Sequence, residues 1–249
     1  MPVVTETHGR VLLLRLDRDA KLNAMDREMT LGLDAAMNQL EDDEALWVGV
    51  LTGNGRAFSA GSDLADPDRN STERGGPYGL VRRARLKPLI AAVDGLAFGG
   101  GFEMVLACDL VVASRRARFA LPEVMRGLLA VYGGVFRGAR ALPLNLAREM
   151  VLTGEPISAE RASALGLVNR LVEDGAALAE ALALAESICA SSPVAVRESL
   201  SIVNQANEAS DALAWQLSTD AAARVRASED SREGIAAFLE KRAPRWRGR

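Results

Sequence analysis

Two carboxylates, Glu103 and Glu123, lie on separate apolar segments, each beside a sharp chain turn. Glu103 ends the run Gly95-Leu-Ala-Phe-Gly99-Gly100-Gly101-Phe102-Glu103. A triple glycine entering a helix frees backbone N–H groups to face an anion or a polarised oxygen. Glu123 sits in Leu121-Pro122-Glu123-Val124, with Phe119 and Ala120 just before it. If it faces a pocket there, desolvation raises its pKa and makes it a usable acid near neutrality. The third segment is Ala57-Phe58-Ser59-Ala60-Gly61-Ser62-Asp63-Leu64, where a glycine after a small residue lets backbone approach a ligand closely. Two backbone donors can hold one carbonyl oxygen as it becomes an enolate oxygen, while two carboxyls manage a water and a proton. Each segment alone also suits plain packing: a tight turn, an acid compensating a helix dipole, a Pro-Glu helix start. The glycine run lacks both a G-x-G-x-x-G pattern and a P-loop lysine, so it is a poor phosphate cradle.

The elements that must position these residues follow from apolar spacing. Val11-Leu-Leu-Leu-Arg-Leu16 reads as a strand and residues 17–21 as a turn. Met25, Met29, Leu33, Met37 and Leu40 recur at helical spacing, predicting a helix from Asn23 to about Leu40. Residues 47–52, 89–93, 110–113, 118–120 and 167–172 read as strands. Residues 67–79, rich in glycine, proline and charge, read as a mobile loop beside a site. Residues 81–86 read as a basic helical piece, 102–107 as a helix opened by the triple glycine, and 145–152 and 158–165 as further helices. From Gly175 helices dominate, broken at Ser191-Ser192-Pro193, Glu208-Ala-Ser210 and Ser228-Glu-Asp-Ser231. This predicts an α/β core over residues 1–190 and an α-helical region over 191–249. A strand-strand-helix rhythm recurs, which suits a spiral of similar units. Phe238, Leu239 and Trp246 predict that the tail packs on the core or on another subunit.

The chain has 249 residues, enough for a large core without disulfides or a metal. Its formal net charge of −3 is no footprint for nucleic acid or an anionic membrane. Cys108 and Cys189 lie in apolar segments and read as small core residues. The single histidine, His8, rules out a multi-histidine metal cluster, and with no histidine in the body of the chain a Ser-His-Asp triad is not expected. No signal peptide or spanning segment is evident, so the expected location is cytoplasmic.

Taken together, the segments at residues 57–64, 99–103 and 121–123, with Lys87-Pro-Leu-Ile-Ala-Ala-Val-Asp-Gly95, Ala107-Cys-Asp109, Leu152-Thr-Gly154, Gly166-Leu-Val168 and Glu233-Gly-Ile-Ala-Ala-Phe-Leu-Glu-Lys-Arg242, resemble the enoyl-CoA hydratase/isomerase (crotonase) superfamily, in family order and over nearly the whole chain. The resemblance implies a crotonase-like spiral of ββα units and a C-terminal α-helical trimerisation region, in a homotrimer or dimer of trimers. It implies an acyl-CoA thioester as substrate, with no cofactor and no metal. By motif position the oxyanion-hole N–H groups belong to Ser62 and Gly100, and the hydratase glutamates to Glu103 and Glu123. Ala60, Asp63 and Leu64 fall where the family contacts substrate, and Phe238 and Lys241 match tail positions that can contact CoA on a neighbouring subunit.

Two departures concern the pocket's surroundings. After Glu123 the run is Gly127-Leu-Leu-Ala-Val-Tyr-Gly133-Gly134, without the Pro-Gly many relatives carry, and an early Arg-Pro turn is replaced by Arg18-Asp19. Ala141-Leu-Pro-Leu-Asn145 resembles a segment of carnitinyl-CoA dehydratase-like branches. The expected activity is hydration of a trans-2-enoyl-CoA. An enoyl-CoA isomerase and a carnitinyl-CoA dehydratase-like enzyme use the same site. A different class, an RNA-binding or scaffolding homologue, draws on the basic runs Arg82-Arg83-Ala84-Arg85-Leu86-Lys87 and Arg115-Arg116-Ala117-Arg118, which otherwise read as solvated faces or contacts for CoA phosphates.

Overall fold

The run of leucines at the N-terminal end is buried on both sides, which is why it is continuous and not alternating. The structure, a computed structural model, describes residues 2–66, 70–208 and 211–245. β1 (Val3–His8) pairs antiparallel with β2 (Val11–Leu16) and covers that edge of the sheet. α1 (Arg27–Asp42) is capped by Asp26, whose side chain accepts the Met29 N–H at 2.9 Å. The helix therefore starts later than its apolar spacing predicts, and Met25 precedes it in extended backbone.

Next come β3 (Val48–Gly53), β4 (Ala57–Ser59) and a small hairpin of β5 (Ser71–Thr72) and β6 (Gly76–Pro77). β7 (Leu89–Val93) and β8 (Leu96–Phe98) lead into α2 (Gly100–Leu106), followed by β9 (Leu110–Ser114) and β10 (Arg118–Ala120). A 3-10 turn over Pro122–Arg126 precedes α3 (Gly134–Ala141), α4 (Leu144–Thr153), β11 (Ile157–Ser158), α5 (Ala159–Ala164) and β12 (Arg170–Val172). The chain then continues as α6 (Ala177–Cys189), α7 (Pro193–Glu208), α8 (Asp211–Ala227) and α9 (Glu229–Leu239).

Six strands form one sheet in the order β1-β2-β3-β7-β9-β12, and four form a second in the order β11-β10-β8-β4. Successive pairs β3/β4, β7/β8 and β9/β10 each place their first strand in the large sheet and their second in the small one. That is the strand-strand rhythm of the sequence, realised as a spiral between two sheets. In the large sheet the side chains divide by parity. Leu12, Leu14, Leu51, Leu89 and Ala91 enter the main core, while Val11, Leu13, Val50, Ile90 and Ala92 face the other way. α6 closes that second face with Ala177, Ala181 and Ala185, all fully buried and spaced at one helical face. Among the described residues no single helix is long and apolar enough to cross a membrane.

The segment 81–86 is not a helix. Arg83 and Arg85 bind inward, while Arg82 stays exposed with its guanidinium 3.8 Å from the Trp215 ring centroid. Arg83 is buried and pairs with Asp34, with Asn38 Oδ1 at 2.7 Å. Arg85 grips Asp109 with two bonds of 2.6 and 3.0 Å. Lys87 caps the end of α1, donating to the carbonyls of Leu40 and Asp43 at 2.6 and 2.8 Å. In the second basic run Arg115 pairs with Glu173 and Arg116 with Asp94 at the surface. Arg83, Arg85 and Lys87 are thus committed to the fold, while Arg82, Arg115 and Arg116 remain at the surface.

Asp109 also accepts the Leu89 N–H at 2.7 Å, so it ties the entry of a central strand to a buried cation. Asp109→Ala is expected to lower the free energy of unfolding by about 3–5 kcal/mol, because it strands a buried guanidinium. Arg115→Ala, at an exposed pair, is expected to cost at most about 1 kcal/mol. Urea unfolding of the two variants checks the contrast.

Candidate active site

The small sheet gathers the site. β4, β8 and β10 are parallel neighbours with β8 in the middle, so their C-terminal ends point the same way. β4 runs into residues 60–64, β8 into Gly99 and α2, and β10 into Leu121 and Glu123. Ligands in open α/β sheets collect at such strand ends.

Met25 fixes the direction of the Ser62 peptide. Its N–H donates to the Gly61 carbonyl at 2.7 Å, and its carbonyl accepts the Asp63 N–H at 2.9 Å. In a parallel bridge of this kind the intervening residue, Ser62, turns its own N–H to the opposite side. Gly61 lets that side come close to the start of α2: a Cβ on it would stand 2.7 Å from the Gly100 nitrogen. Gly61 also has φ +90, which a larger side chain rarely adopts. Among the described residues neither the Ser62 N–H nor the Gly100 N–H has a hydrogen-bond acceptor. Two unspent donors thus stand side by side, the arrangement that stabilises an oxyanion.

Glu103 lies in the first turn of α2 and is buried. Its Oε1 accepts the N–H groups of Tyr132 at 2.7 Å and Gly134 at 2.9 Å. Those bonds favour the charged carboxylate, but burial, then the nearby charge of Glu123, outweigh them and hold its pKa above the usual carboxylate range. Glu123 opens the turn after β10, with Pro122 at its first position. The residue is half-buried, yet its Oε2 is sealed from solvent and has no hydrogen-bond partner. Its Oε1 lies 3.1 Å from where a Cβ on Gly99 would be, so the carboxyl faces the entry of α2. Burial raises its pKa as well. Two like-charged groups in one dry site resist double ionisation, so the pair retains a proton at pH values where isolated carboxyls have lost theirs. One carboxylate to take a proton and one acid to give it are then both at hand.

These shifts weaken the fold as pH rises. Unfolded glutamates titrate near ~4.3, so above that pH the unfolded chain has lost protons the folded chain still holds. Folding then takes up protons and is opposed by alkalinity. Wild-type melting temperature is expected to decline between about pH 4.5 and about pH 8. Glu103→Gln, which cannot ionise, is expected to melt above the wild type at the alkaline end. Calorimetric scans of both proteins across that range check the sign.

Ser62, Gly100, Glu103 and Glu123 are brought together; the other expected site residues divide. Ala60 is beside the cradle, its N–H donating to the Leu22 carbonyl at 2.9 Å. Leu64 is half-buried in the following loop. The Asp63 carboxylate is committed to Arg18 at 2.8 Å, which holds its pKa down, so it braces the loop. Arg18 also reaches Asp26 at 3.1 Å, so the Arg18-Asp19 departure supplies the clamp between this loop and the start of α1. Phe238 and Lys241 are exposed at the end of α9, and among the described residues no hydrogen bond or ring contact ties them to the four. Phe238 instead carries the Arg126 guanidinium 4.8 Å above its ring, next to the Glu123 turn. Trp246 lies outside the described residues. Among the described residues no group of three or more His, Cys, Asp or Glu side chains could hold a metal ion.

Sequence reasoning missed the residues that orient the site. Tyr132 and Gly134 act through their amides, which leave no side-chain signature. Helix α3, which Gly134 opens, was not expected either. Tyr78 lay in what read as a mobile loop, yet residues 70–79 fold into the β5–β6 hairpin and Tyr78 is fully buried. Its signal was an aromatic set among glycines in Gly75-Gly-Pro-Tyr-Gly79.

The chain matches the profile of the enoyl-CoA hydratase/isomerase family over residues 6–249. It is 40% identical over 250 residues to a mevalonyl-coenzyme A hydratase of Aspergillus fumigatus, covering 95% of this chain and 91% of that one. It is 37% identical over 252 residues to a 2,3-dehydroadipyl-CoA hydratase of Escherichia coli, covering 99% of each. The crystal structure of a carnitinyl-CoA hydratase from Mycobacterium avium superposes with a TM-score of 0.94 at 39% identity, covering 100% of this chain and 99% of that one. A match that spans both sheets, the strand ends and the helical tail leaves one assignment: this chain belongs to the enoyl-CoA hydratase/isomerase family.

Proposed function

We propose that the protein is an enoyl-CoA hydratase, adding water reversibly to a trans-2-enoyl-CoA to give a 3-hydroxyacyl-CoA. The observation that carries this reading is two carboxyls of raised pKa, Glu103 buried and Glu123 with one oxygen sealed from solvent, beside two unspent main-chain donors. Conjugation makes the β-carbon electrophilic, and attack there moves charge onto the thioester oxygen. The N–H groups of Ser62 and Gly100 receive that charge. Glu103, held by the Tyr132 and Gly134 amides, orients the water and takes its proton as the C–O bond forms. Glu123 in its acid form delivers a proton to the α-carbon. The proton gained by Glu103 then returns to Glu123, and the pair is reset. An isomerase needs one base to move one proton, so the second carboxyl of raised pKa favours water chemistry.

The CoA portion serves as a handle whose binding positions the acyl group. The substrates for which the named relatives are called differ in their acyl groups, and all three of those groups carry a polar end. The test is a panel of crotonyl-CoA, 5-hydroxy-3-methylpent-2-enoyl-CoA, 2,3-dehydroadipyl-CoA and crotonobetainyl-CoA, followed by loss of the conjugated thioester and product identification. Hydration of at least one member supports the reading. Conversion of 3-enoyl-CoA to 2-enoyl-CoA without hydration identifies an isomerase instead, and salt-sensitive RNA binding without either activity identifies a binding protein.

The assembly belongs to the same proposal. Residues 191–249 form an oligomerisation region in a homotrimer or dimer of trimers, with Phe238 and Lys241 offered to CoA bound by a neighbouring subunit. Exposed Val194, Ile202, Val203 and Leu239 on α7 and α9 support it, since apolar side chains grouped on helices suit burial against another copy. A monomer in sedimentation would defeat it. Residues 1–190 are the core that carries the thioester site, and the proposed location is the cytoplasm.

A further inference from the structure

Tyr78 is a bulky residue in the left-handed region, with φ +56, and its side chain is completely buried. That backbone conformation is costly for such a residue and persists only where its surroundings over-determine it. Here they do. The Tyr78 N–H donates to the Asn70 carbonyl at 2.7 Å. The Asn70 side-chain amide donates to the Met25 carbonyl at 3.0 Å, and Met25 is bridged to Ser62. At its other end the Tyr78 phenol meets Ser62 Oγ at 2.6 Å. The ring of contacts Tyr78–Asn70–Met25–Ser62 therefore closes on itself.

The same phenol touches the other donor. A Cβ on Gly100 would run into the Tyr78 oxygen and ring, so Gly100 must be glycine for the phenol to lie there. The ring also packs edge-on against Tyr132, centroids 5.1 Å apart, and the Tyr132 amide holds Glu103. One buried side chain thus touches Ser62, Gly100 and the anchor of Glu103. Burial, with the charge of Glu103, keeps the phenol protonated, so it remains a hydrogen-bond donor across the working pH range.

We propose that Tyr78 is a positioning residue for the oxyanion cradle, locking the Ser62 peptide against Gly100 through its phenol and joining the cradle to the Glu103 anchor. This rests on the reading of Ser62 and Gly100 as thioester-oxygen donors. Because it acts on charge developed after binding, its loss lowers kcat and leaves KM nearly unchanged.

The test uses Tyr78→Phe, which removes only the oxygen, and Ser62→Ala, which removes its partner and keeps the N–H. Each is expected to lower kcat by about 10- to 100-fold with KM within about threefold. The double variant is expected to be no worse than either single one, as for two halves of one contact. Affinity is measured in parallel for acetoacetyl-CoA, whose acidic carbon between two carbonyls lets it present an enolate oxygen, and butyryl-CoA, a saturated ground-state mimic. Tyr78→Phe is expected to lose affinity for the first by a factor similar to its kcat loss and to keep its affinity for the second. An unchanged ratio of the two affinities overturns the inference, whether both are retained or both fall together. The ratio needs no turnover. If the wild type hydrates nothing yet favours the enolate, and Tyr78→Phe loses that preference, the positioning role stands and the hydratase reading falls.

Discussion

Glu123→Gln is expected to lower hydration turnover by about 10²- to 10⁴-fold, the range of a positioned general acid or base. The substitution keeps the size of the side chain and removes its titration. Glu103→Gln is expected to do the same. Its amide oxygen still accepts the Tyr132 and Gly134 N–H groups, so the start of α3 stays in register and the loss is chemical. The double variant is expected to lose little more than either single one, because proton donor and acceptor act as a unit. Crotonyl-CoA hydration followed by absorbance, with sedimentation to verify an unchanged assembly, is the measurement. Undiminished turnover in both single variants removes the assigned roles.

The second large effect is expected at a glycine. Gly61→Ala pushes a methyl to 2.7 Å from the Gly100 nitrogen and 3.0 Å from the Phe98 carbonyl, at a φ of +90. The two strand ends must separate, and the donors cease to converge on one point. Loss of one such donor costs about 10²- to 10³-fold in kcat, so a comparable fall is expected here. Gly9→Ala provides the control. Gly9 has φ +58 with nothing within 4 Å of a Cβ, so it carries the backbone strain without the collision. That variant is expected to lose about 1–2 kcal/mol of stability and no activity. Equal turnover losses in the two variants would mean that strain, and not the cradle, is responsible.

The helical tail connects to the same chemistry. α9 lies against the turn that carries Glu123, and a Cβ on Gly234 would collide with the Arg126 carbonyl. The position of the Glu123 turn is therefore coupled to the docking of a helix more than a hundred residues further along the chain. A sequence division at residue 190 separates these elements, while packing joins them.

Much of the architecture was legible because it is written in near neighbours. The burial of β2 on both faces follows from an unbroken apolar run, the Met and Leu spacing of α1 from one helical stripe, and the end of β3 from Gly53-Asn54-Gly55. Less was legible where the pattern is short or points to solvent. β1 is exposed at every residue after Val3, β8 has three residues, and the basic run at residues 82–87 has the spacing of a helix surface. That run is not a helix because Asp34 and Asp109, far away in the chain, take its cations into the interior. Charge composition carries no partner list.

The sequence by itself determined which groups are available: two glutamates, glycines where chains must approach, no histidine in the body of the chain, and the ordered motifs of a family. Only the tertiary structure decided that three parallel strand ends bring Ser62, Gly100 and Glu123 together, that burial raises both glutamates and the charge of Glu123 adds to the rise at Glu103, and that Tyr78 turns inward to hold the cradle. The physical reason is range. Periodicity and turn chemistry act over a few residues, whereas convergence, desolvation and proton affinity depend on sheet register and on atoms supplied from remote parts of the chain.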